Sequence, residues 1–236
     1  MGAGRLYLVP CWLSEDTAPR DVVPAAVIAR VHALDRFVVE NAKSARRFLA
    51  ACGHPKPLRE IVMAELNEHT PRSEVAALLE PVLAGSDLGI LSEAGVPAVA
   101  DPGAMLVAEA HARGIVVVPL VGPSSILLAV MASGLEGQRF RFVGYLPADS
   151  AARRAALAEL EGLSARHGET QVFIETPYRN DVLLADVLAA CKPSTRLAVA
   201  AELTSPNESI RMDRIEGWRA RHDPIGKRPA IFLILA

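Results

Sequence analysis

The chain has 236 residues, 51% of them hydrophobic, so it can bury the core of one large domain or two small ones. Its 25 lysines and arginines nearly balance 27 aspartates and glutamates, a composition that does not indicate a basic groove for duplex nucleic acid. Three widely spaced cysteines, Cys11, Cys52 and Cys191, exclude a disulfide framework and favour a reducing, cytoplasmic location. The N-terminus lacks the basic and long apolar segments of a signal peptide, so we expect none.

The first half of the chain alternates short apolar runs with helical segments. Strands are predicted at 5–10, 36–40, 87–91 and 114–121. Helices are predicted at 24–34, 43–52, 73–83 (capped by Ser73) and 104–113. This alternation predicts βαβ units and a mainly parallel sheet.

The second half favours antiparallel neighbours. One predicted helix ends at Ser133, and two more cover 151–164 and 180–191. Strands are predicted at 139–147, 170–177, 196–204 and 229–236, with a further strand beginning at 209. The fold class is therefore α/β with two domains, 1–121 with a mainly parallel sheet and 122–236 with a mixed sheet.

Residues 115–135 contain no charged side chain and have about the length of a membrane-spanning helix. Pro119, Gly122 and Pro123 interrupt this segment and would leave backbone groups unsatisfied in lipid. We therefore expect a strand, a turn and a buried helix here, and no membrane association.

Two turn clusters follow apolar runs, SEAGVPAVADPG at 92–103 and VGPSS at 121–125. Ligands of open parallel sheets bind beyond the carboxyl ends of the strands, and glycines such as Gly95, Gly103 and Gly122 allow close backbone approach. The pattern predicts a small-molecule cofactor held largely by main chain. Walker, GxGxxG, HExxH and GxSxG motifs are absent from the sequence, and His69 has no partner at metal-ligand spacing, so we expect no metal.

SEAGVPAVADPGAMLV followed by IVVVPLVGPSSI closely resembles the tetrapyrrole-methylase-type superfamily of S-adenosylmethionine-dependent methyltransferases. Within it, the sequence is most similar to the branch that methylates a ribose 2′-hydroxyl of 16S ribosomal RNA. VVENAKSARRFL, ELNEHT, FVGYLP, VFIETPYR and AAELTSPNE lie in the expected order, so the resemblance spans almost the whole chain.

The resemblance implies two α/β domains with S-adenosylmethionine in the cleft between them, and a homodimer. It also implies which positions contact the cofactor. These are Pro10, Ala94, Gly95, Val96, Val99, Ser124 and Ser125, and on the second-domain side Glu175, Thr176, Pro177 and Thr204.

The sequence departs from that branch in three places. Residues 11–16 (CWLSED) replace a Gly-Asn-Leu turn, Glu93 stands where an aspartate is usual, and the sequence ends at PAIFLILA without the extra segment of longer members. The first and third differences predict a shifted or narrower substrate. We expect the substrate side to comprise the 10–20 loop, the 40–47 segment and the 65–72 loop.

An O–H acceptor must lose a proton during methyl transfer, so a carboxylate near it would help. Glu40, Glu93 and Asp101 are the catalytic candidates, because each ends a strand or lies in a cleft loop. Glu40 could instead pair with Arg46 or Arg47 or cap a helix, and Asp101 could be a turn-former or helix cap.

Lys43, Arg46 and Arg47 are the substrate-binding candidates, facing RNA phosphates, although such a triplet is more commonly a solvated helix face. Three functions stay open: an RNA methyltransferase, a methyltransferase for a small molecule such as a tetrapyrrole, and a non-catalytic cofactor-binding protein.

Overall fold

The computed structural model describes residues 4–221 and 223–236, which form two compact α/β units. The first unit extends to Ser124 and the second begins at Ser125, whereas the sequence placed this division between Val121 and Gly122. The prediction of two α/β domains, one parallel and one mixed, is confirmed by the two five-stranded sheets.

The sheet of the first unit is parallel throughout, with the order β3-β2-β4-β1-β5. Its strands are β1 (Arg5–Val9), β2 (Arg36–Val39), β3 (Val62–Glu65), β4 (Leu88–Leu91) and β5 (Val116–Pro119). Its helices are α1 (Pro19–Val22), α2 (Ala25–Ala33), α3 (Ala42–Ala51), α4 (Arg72–Val75), α5 (Glu80–Leu83) and α6 (Gly103–Ala112). All four residues of β4 are buried, as expected for a strand inside a parallel sheet whose two faces are covered.

One predicted helix of the first unit is wrong, and one strand was not predicted. The predicted helix over 73–83 is divided into α4, a 3₁₀ turn over 76–79 and α5, because Pro81 lacks the N–H that would continue the helical hydrogen bonds. Ser73 lies inside α4, whose N-cap is Pro71. The edge strand β3 was not predicted, since its half-exposed VMAE sequence is not a continuous apolar run.

The sheet of the second unit is mixed, with the order β6-β7-β10-β8-β9. β6 pairs parallel with β7, and the other pairs are antiparallel. Its strands are β6 (Phe140–Tyr145), β7 (Thr170–Ile174), β8 (Arg196–Ala201), β9 (Ser209–Arg214) and β10 (Ala230–Leu235). Its helices are α7 (Ser125–Ser133), α8 (Ser150–His167), α9 (Asn180–Ala190) and α10 (Ile215–Arg221).

The uncharged segment 115–135 forms the predicted strand, turn and helix, as β5, a turn and α7, but α7 is only partly buried. Ala129, Val130 and Ser133 of α7 are buried, while the side chains of Leu127 and Met131 are largely exposed. In the described parts of the chain, no helix has the length and hydrophobicity needed to cross a membrane.

A buried ion pair joins α8 to α9. The guanidinium of Arg153 is only 2% exposed, and its Nε and Nη2 each lie 2.7 Å from Oδ2 of Asp186. Its Nη1 donates to the carbonyls of Pro147 and Ala148 after β6, and the hydroxyl of Ser150 donates to Asp186. The pair therefore fixes the segment that follows β6 against both helices.

We expect Arg153→Met to lower the free energy of unfolding by about 3–5 kcal/mol, because it leaves the Asp186 carboxylate buried without its main partner. Arg154→Met is the matched control, since Arg154 approaches the same carboxylate at 3.5 Å but is 51% exposed; its cost should be under about 1 kcal/mol. Urea unfolding of both variants measures the difference. Similar losses of unfolding free energy in the two would show that the buried ion pair stabilises the protein no more than the exposed one.

Candidate functional site

Parallel pairing brings the carboxyl ends of β1 to β5 to one edge of the first sheet. The segments that leave this edge include the sequence-predicted cofactor and catalytic residues of the first unit, whereas the substrate candidates Lys43, Arg46 and Arg47 lie on α3. The segments are 10–18 after β1, 40–41 after β2, 66–71 after β3, 92–102 after β4 and 120–124 after β5. This edge is where ligands of open parallel sheets bind.

The loop after β4 has an unusual backbone. Ala98 (φ 66°) and Ala100 (φ 59°) adopt the left-handed conformation, which costs a residue with a Cβ about 1 kcal/mol or more, and Gly95 (φ 72°) adopts it freely. In the described chain, the other non-glycine residues with positive φ are Glu202 and Thr204, in the loop after β8. Such strained positions persist where the surrounding structure holds them, and they cluster at ligand sites.

Asp101 holds the β4 loop in this conformation. Both of its carboxylate oxygens accept from the backbone N–H of Ala98 at 2.9 Å, and Oδ1 also accepts from Gly103 at 2.7 Å. Burial raises the pKa of Asp101, and these two hydrogen bonds oppose the rise. These contacts are those of a turn-former, whereas the N-cap position of α6 belongs to Pro102.

The segment after β1 is attached to the same loop. The N–H of Cys11 donates to the carbonyl of Gly95 at 2.8 Å, and the N–H of Gly95 donates to the carbonyl of Trp12 at 3.4 Å. Trp12 packs edge-on against Phe48 of α3, with the ring centroids 5.7 Å apart. The residues that replace the family's Gly-Asn-Leu turn are therefore anchored by main chain on one side and by an aromatic contact on the other.

The remaining first-unit cofactor candidates differ in exposure. Pro10 is buried so close to Gly122 that a Cβ on this glycine would lie 2.2 Å from Cγ of Pro10. Ala94 and Val99 are exposed, Val96 is half-buried and Ser124 is buried. Ser125 is the first residue of α7 and so belongs to the second unit.

Glu40 links the end of β2 to the β4 loop. Its Oε2 accepts from the backbone N–H of Glu93 at 3.2 Å, so Glu93 contributes its main chain here while its side chain is exposed. Burial raises the pKa of Glu40, and the negative charges of Glu93, Asp101 and Glu68 raise it further against the opposing hydrogen bond.

The alternative roles that the sequence left open for Glu40 are not observed. Within residues 4–221 and 223–236 it forms no ion pair with Arg46 or Arg47, since Arg47 pairs with Glu15 at 2.9 Å. The cap of α3 is Asn41, whose side chain accepts from the N–H groups of the next turn.

Lys43, Arg46 and Arg47 all lie exposed on α3. Among them only Arg47 has an ion-pair partner in the described chain, so Lys43 and Arg46 carry the net positive charge of this face. In the 65–72 loop His69 is 85% exposed and lies beside Glu68, as the interpretation of a solvated histidine predicts. No group of three or more potential metal ligands occurs in the parts of the chain that the structure describes.

In the second unit, Glu175 follows β7 with a side chain that is 0% exposed. Its Oε1 accepts from the N–H of Thr176 and from Nε and Nη2 of Arg179, at 2.7, 3.0 and 2.7 Å, while Oε2 is buried with no hydrogen-bond partner in the described residues. Pro177, which follows Thr176, is exposed. After β8, the N–H of Thr204 donates to Glu208 at 2.7 Å.

Sequence reasoning did not single out Glu15 or Arg179, although each holds a specific partner. Glu15 lies in the divergent 11–16 segment, and Arg179 ends the turn after VFIETP. In both cases the sequence shows a charged residue beside an unusual turn, and this could have marked the residue as a candidate partner.

Residues 20–217 match the sequence model of the tetrapyrrole (corrin/porphyrin) methylases. The chain is 33% identical over 213 residues to the ribosomal RNA small subunit methyltransferase I of Pseudomonas aeruginosa, an alignment that covers 89% of this chain and 70% of that protein. The protein of the same name from Mycobacterium tuberculosis is 32% identical over 225 residues, covering 93% and 74%. For the one from Xylella fastidiosa the identity is 37%, covering 72% of this chain and 59% of the relative.

Solved structures show the same fold at low sequence identity. The methyltransferase CobJ aligns with a TM-score of 0.65 and 18% identity, covering 99% of this chain and 94% of CobJ. A conserved hypothetical protein from Aeropyrum pernix aligns with a TM-score of 0.70 and 16% identity, covering 100% and 85%. The chain therefore belongs to the tetrapyrrole methylase family of S-adenosylmethionine-dependent methyltransferases.

Proposed function

We propose that the chain transfers a methyl group from S-adenosylmethionine to RNA, at a ribose 2′-hydroxyl of small-subunit ribosomal RNA. The observation that carries this proposal is the similarity, over 89% of the chain, to a protein named for methylation of that RNA. The exposed cations Lys43 and Arg46, near the start of α3, support an acceptor that carries phosphates.

We infer that the loops after β1, β4 and β5 hold S-adenosylmethionine, through Pro10, Ala94, Gly95, Val96, Val99 and Ser124; the role of Ser125, the first residue of α7, stays a prediction from the family resemblance. The strained backbone of the β4 loop supports this role, because such conformations cluster at ligand sites and Asp101 holds the loop in place. The contributions of Glu175, Thr176, Pro177 and Thr204 stay predictions from the family resemblance.

When bound, S-adenosylmethionine supplies a methyl group that is already activated on a sulfonium. The chain itself has to orient the acceptor and take its proton. Glu40 suits proton acceptance, because its partly buried carboxylate has a raised pKa and receives one hydrogen bond, from a main-chain N–H. Asp101 is a positioning residue in this scheme, since its oxygens already serve the β4 loop, and Glu93 acts through its N–H.

Transfer of a radiolabelled methyl group separates the three functions that the sequence left open. Labelling of small-subunit ribosomal RNA supports the proposal. Labelling of a tetrapyrrole such as uroporphyrinogen III but not of RNA would show that the acceptor is a small molecule. Cofactor binding without labelling of either acceptor would favour a non-catalytic cofactor-binding protein. A homodimer and a cytoplasmic location remain our predictions from the resemblance and the cysteine usage.

We expect Gly95→Leu to weaken S-adenosylmethionine binding by at least about tenfold, because a side chain would enter a loop that adopts φ +72°. Gly114→Leu is the matched control: Gly114 has φ +67°, but a Cβ there would meet no atom within 4 Å, so the backbone strain is similar while the site is untouched. Calorimetry of both variants checks this expectation. Equal cofactor affinity in the two would remove the β4 loop from the cofactor site.

We expect Glu40→Gln to lower kcat by roughly 10²- to 10⁴-fold if Glu40 is the base. A base acts deprotonated, so the wild-type rate should fall as pH falls through the Glu40 pKa, at a higher pH than for an ordinary glutamate because that pKa is raised. Glu68→Gln removes a like charge and should move this acid limb to lower pH without abolishing it. An acid limb that persists in Glu40→Gln would exclude Glu40 as the base.

We expect the double variant Lys43→Ala, Arg46→Ala to reduce the slope of log K for RNA against log salt by about 1.4, or roughly 0.7 per phosphate contact for single strands. Arg47→Ala is the comparison, and it should reduce the slope less because Glu15 already pairs with Arg47. Cofactor affinity reports correct folding. An unchanged slope in the double variant would show that this face of α3 does not contact RNA phosphates.

A further inference from the structure

Two exposed tyrosines lie at the carboxyl ends of the adjacent parallel strands β6 and β7. Tyr145 is the last residue of β6 and is 59% exposed, and Tyr178, in the short 3₁₀ turn after β7, is 68% exposed. Pairing of Tyr145 with Ile174 places it opposite the end of β7, one residue before Glu175. Large aromatic rings exposed in this way, beside a loop of a binding fold, indicate a contact surface.

A β-bulge sets the direction of Tyr145. The register of β6 against β7 shifts between Phe142 and Gly144, and Gly144 has φ +75°. A bulge inserts one residue and so changes the face to which the following side chains point; bulges are common beside functional sites for that reason. Here the bulge immediately precedes the exposed tyrosine.

Arg179 lies beside the ring of Tyr178, and its guanidinium is held by the buried Glu175. Its Cζ is 5.6 Å from the ring centroid of Tyr178. The hydrogen bond to Glu175 is the main cause that raises the pKa of Arg179. Because Nε and Nη2 both donate to the fully buried Glu175, the guanidinium plane is fixed.

Part of this guanidinium remains available. Nη1 of Arg179 has no hydrogen-bond or ion-pair partner within residues 4–221 and 223–236, and the side chain is 31% exposed. A fixed arginine with a free N–H edge is suited to a phosphate, while tyrosine faces suit the π-face of any base.

We propose that Tyr145, Tyr178 and Arg179, the tyrosine–arginine platform, stack an unpaired nucleobase of the acceptor RNA while Arg179 holds an adjacent phosphate. This inference rests on the proposal that the acceptor is RNA. It adds a contact of the second unit that is distinct from the basic face of α3, and it requires single-stranded RNA, since a base inside a duplex cannot offer its face.

The test uses the full chain and two fluorescein-labelled probes, a short single-stranded RNA of mixed sequence and the same strand with abasic central positions. Tyr178→Leu and Tyr145→Leu should each weaken binding of the complete strand by about tenfold and leave the abasic strand unaffected, because only stacking is lost. Tyr178→Phe and Tyr145→Phe keep the ring and should bind both strands as the wild type does. Both positions are exposed, so stability should change little.

The arginine is tested by salt dependence. Arg179→Gln should reduce the slope of log K against log salt by about 0.7, whereas Arg166→Gln, at an exposed arginine of α8, should leave it unchanged. Because Arg179→Gln also removes the cation that pairs with the buried Glu175, urea unfolding is used to set assay conditions in which this variant is folded. The outcomes separate the platform from the acceptor proposal. If the wild type binds the complete strand but the leucine and phenylalanine variants bind it with equal affinity, the tyrosine–arginine platform is wrong, while the proposal of an RNA acceptor still stands. If the wild type neither binds nor methylates RNA, the acceptor proposal fails and the platform fails with it. Loss of S-adenosylmethionine affinity in the leucine variants, with RNA binding intact, would assign the rings to the cofactor instead.

Discussion

Parallel strand direction is the constraint on which the first unit depends. Because β1 to β5 all run the same way, the segments that follow them meet at one edge although the first and the last are more than a hundred residues apart in sequence. Each connection must return across a face of the sheet, and the helices that do so bury most of the central strands β1, β2 and β4, while the edge strands β3 and β5 stay half-exposed. The hydrogen bonds between residues 11–12 and Gly95, and between Glu40 and Glu93, are possible only at that edge.

Conformational strain at this edge is balanced by a small number of polar contacts. Ala98 and Ala100 adopt a backbone conformation that disfavours side chains, and one carboxylate, Asp101, offsets this through its hydrogen bonds to Ala98 and Gly103. The loop after β8 is similar, since Glu202 and Thr204 have positive φ and Thr204 donates to Glu208. A carboxylate used in this way cannot also serve freely as a base, so the proposed scheme gives Asp101 a structural role and Glu40 the chemical one.

The sequence predicted the architecture better than the local detail. Continuous apolar runs such as GIVVVPLV and PAIFLILA indicate strands from composition alone, so the two sheets and their different character could be anticipated, although β5 from the first run is a half-exposed edge strand. The edge strand β3 and the division of the 73–83 helix could not, because both depend on neighbours: β3 on pairing with β2, and the division on where Pro81 falls relative to the helix start.

For the candidate site, the turn clusters were visible as glycine- and proline-rich segments, whereas partners separated by dozens of residues were not. Glu15 with Arg47 and Glu40 with the main chain of Glu93 follow from the fold. The left-handed Ala98 and Ala100 were equally hidden, since alanine carries no signal for that conformation. The residue assignments of the cofactor site rest on the resemblance and stay predictions.

The position of β10 at the centre of the second sheet has a consequence for synthesis on the ribosome. All six of its residues are buried, and it separates β7 from β8, which precede it in sequence. The edges of β7 and β8 that pair with β10 therefore stay unpaired until residues 230–235 leave the exit tunnel. By contrast, all strands of the first unit are available once residue 119 has emerged. During synthesis the parallel sheet of the first unit can thus be complete while the mixed sheet of the second unit still lacks its central strand. The unpaired strand edges that favour aggregation and chaperone binding therefore belong to the second unit.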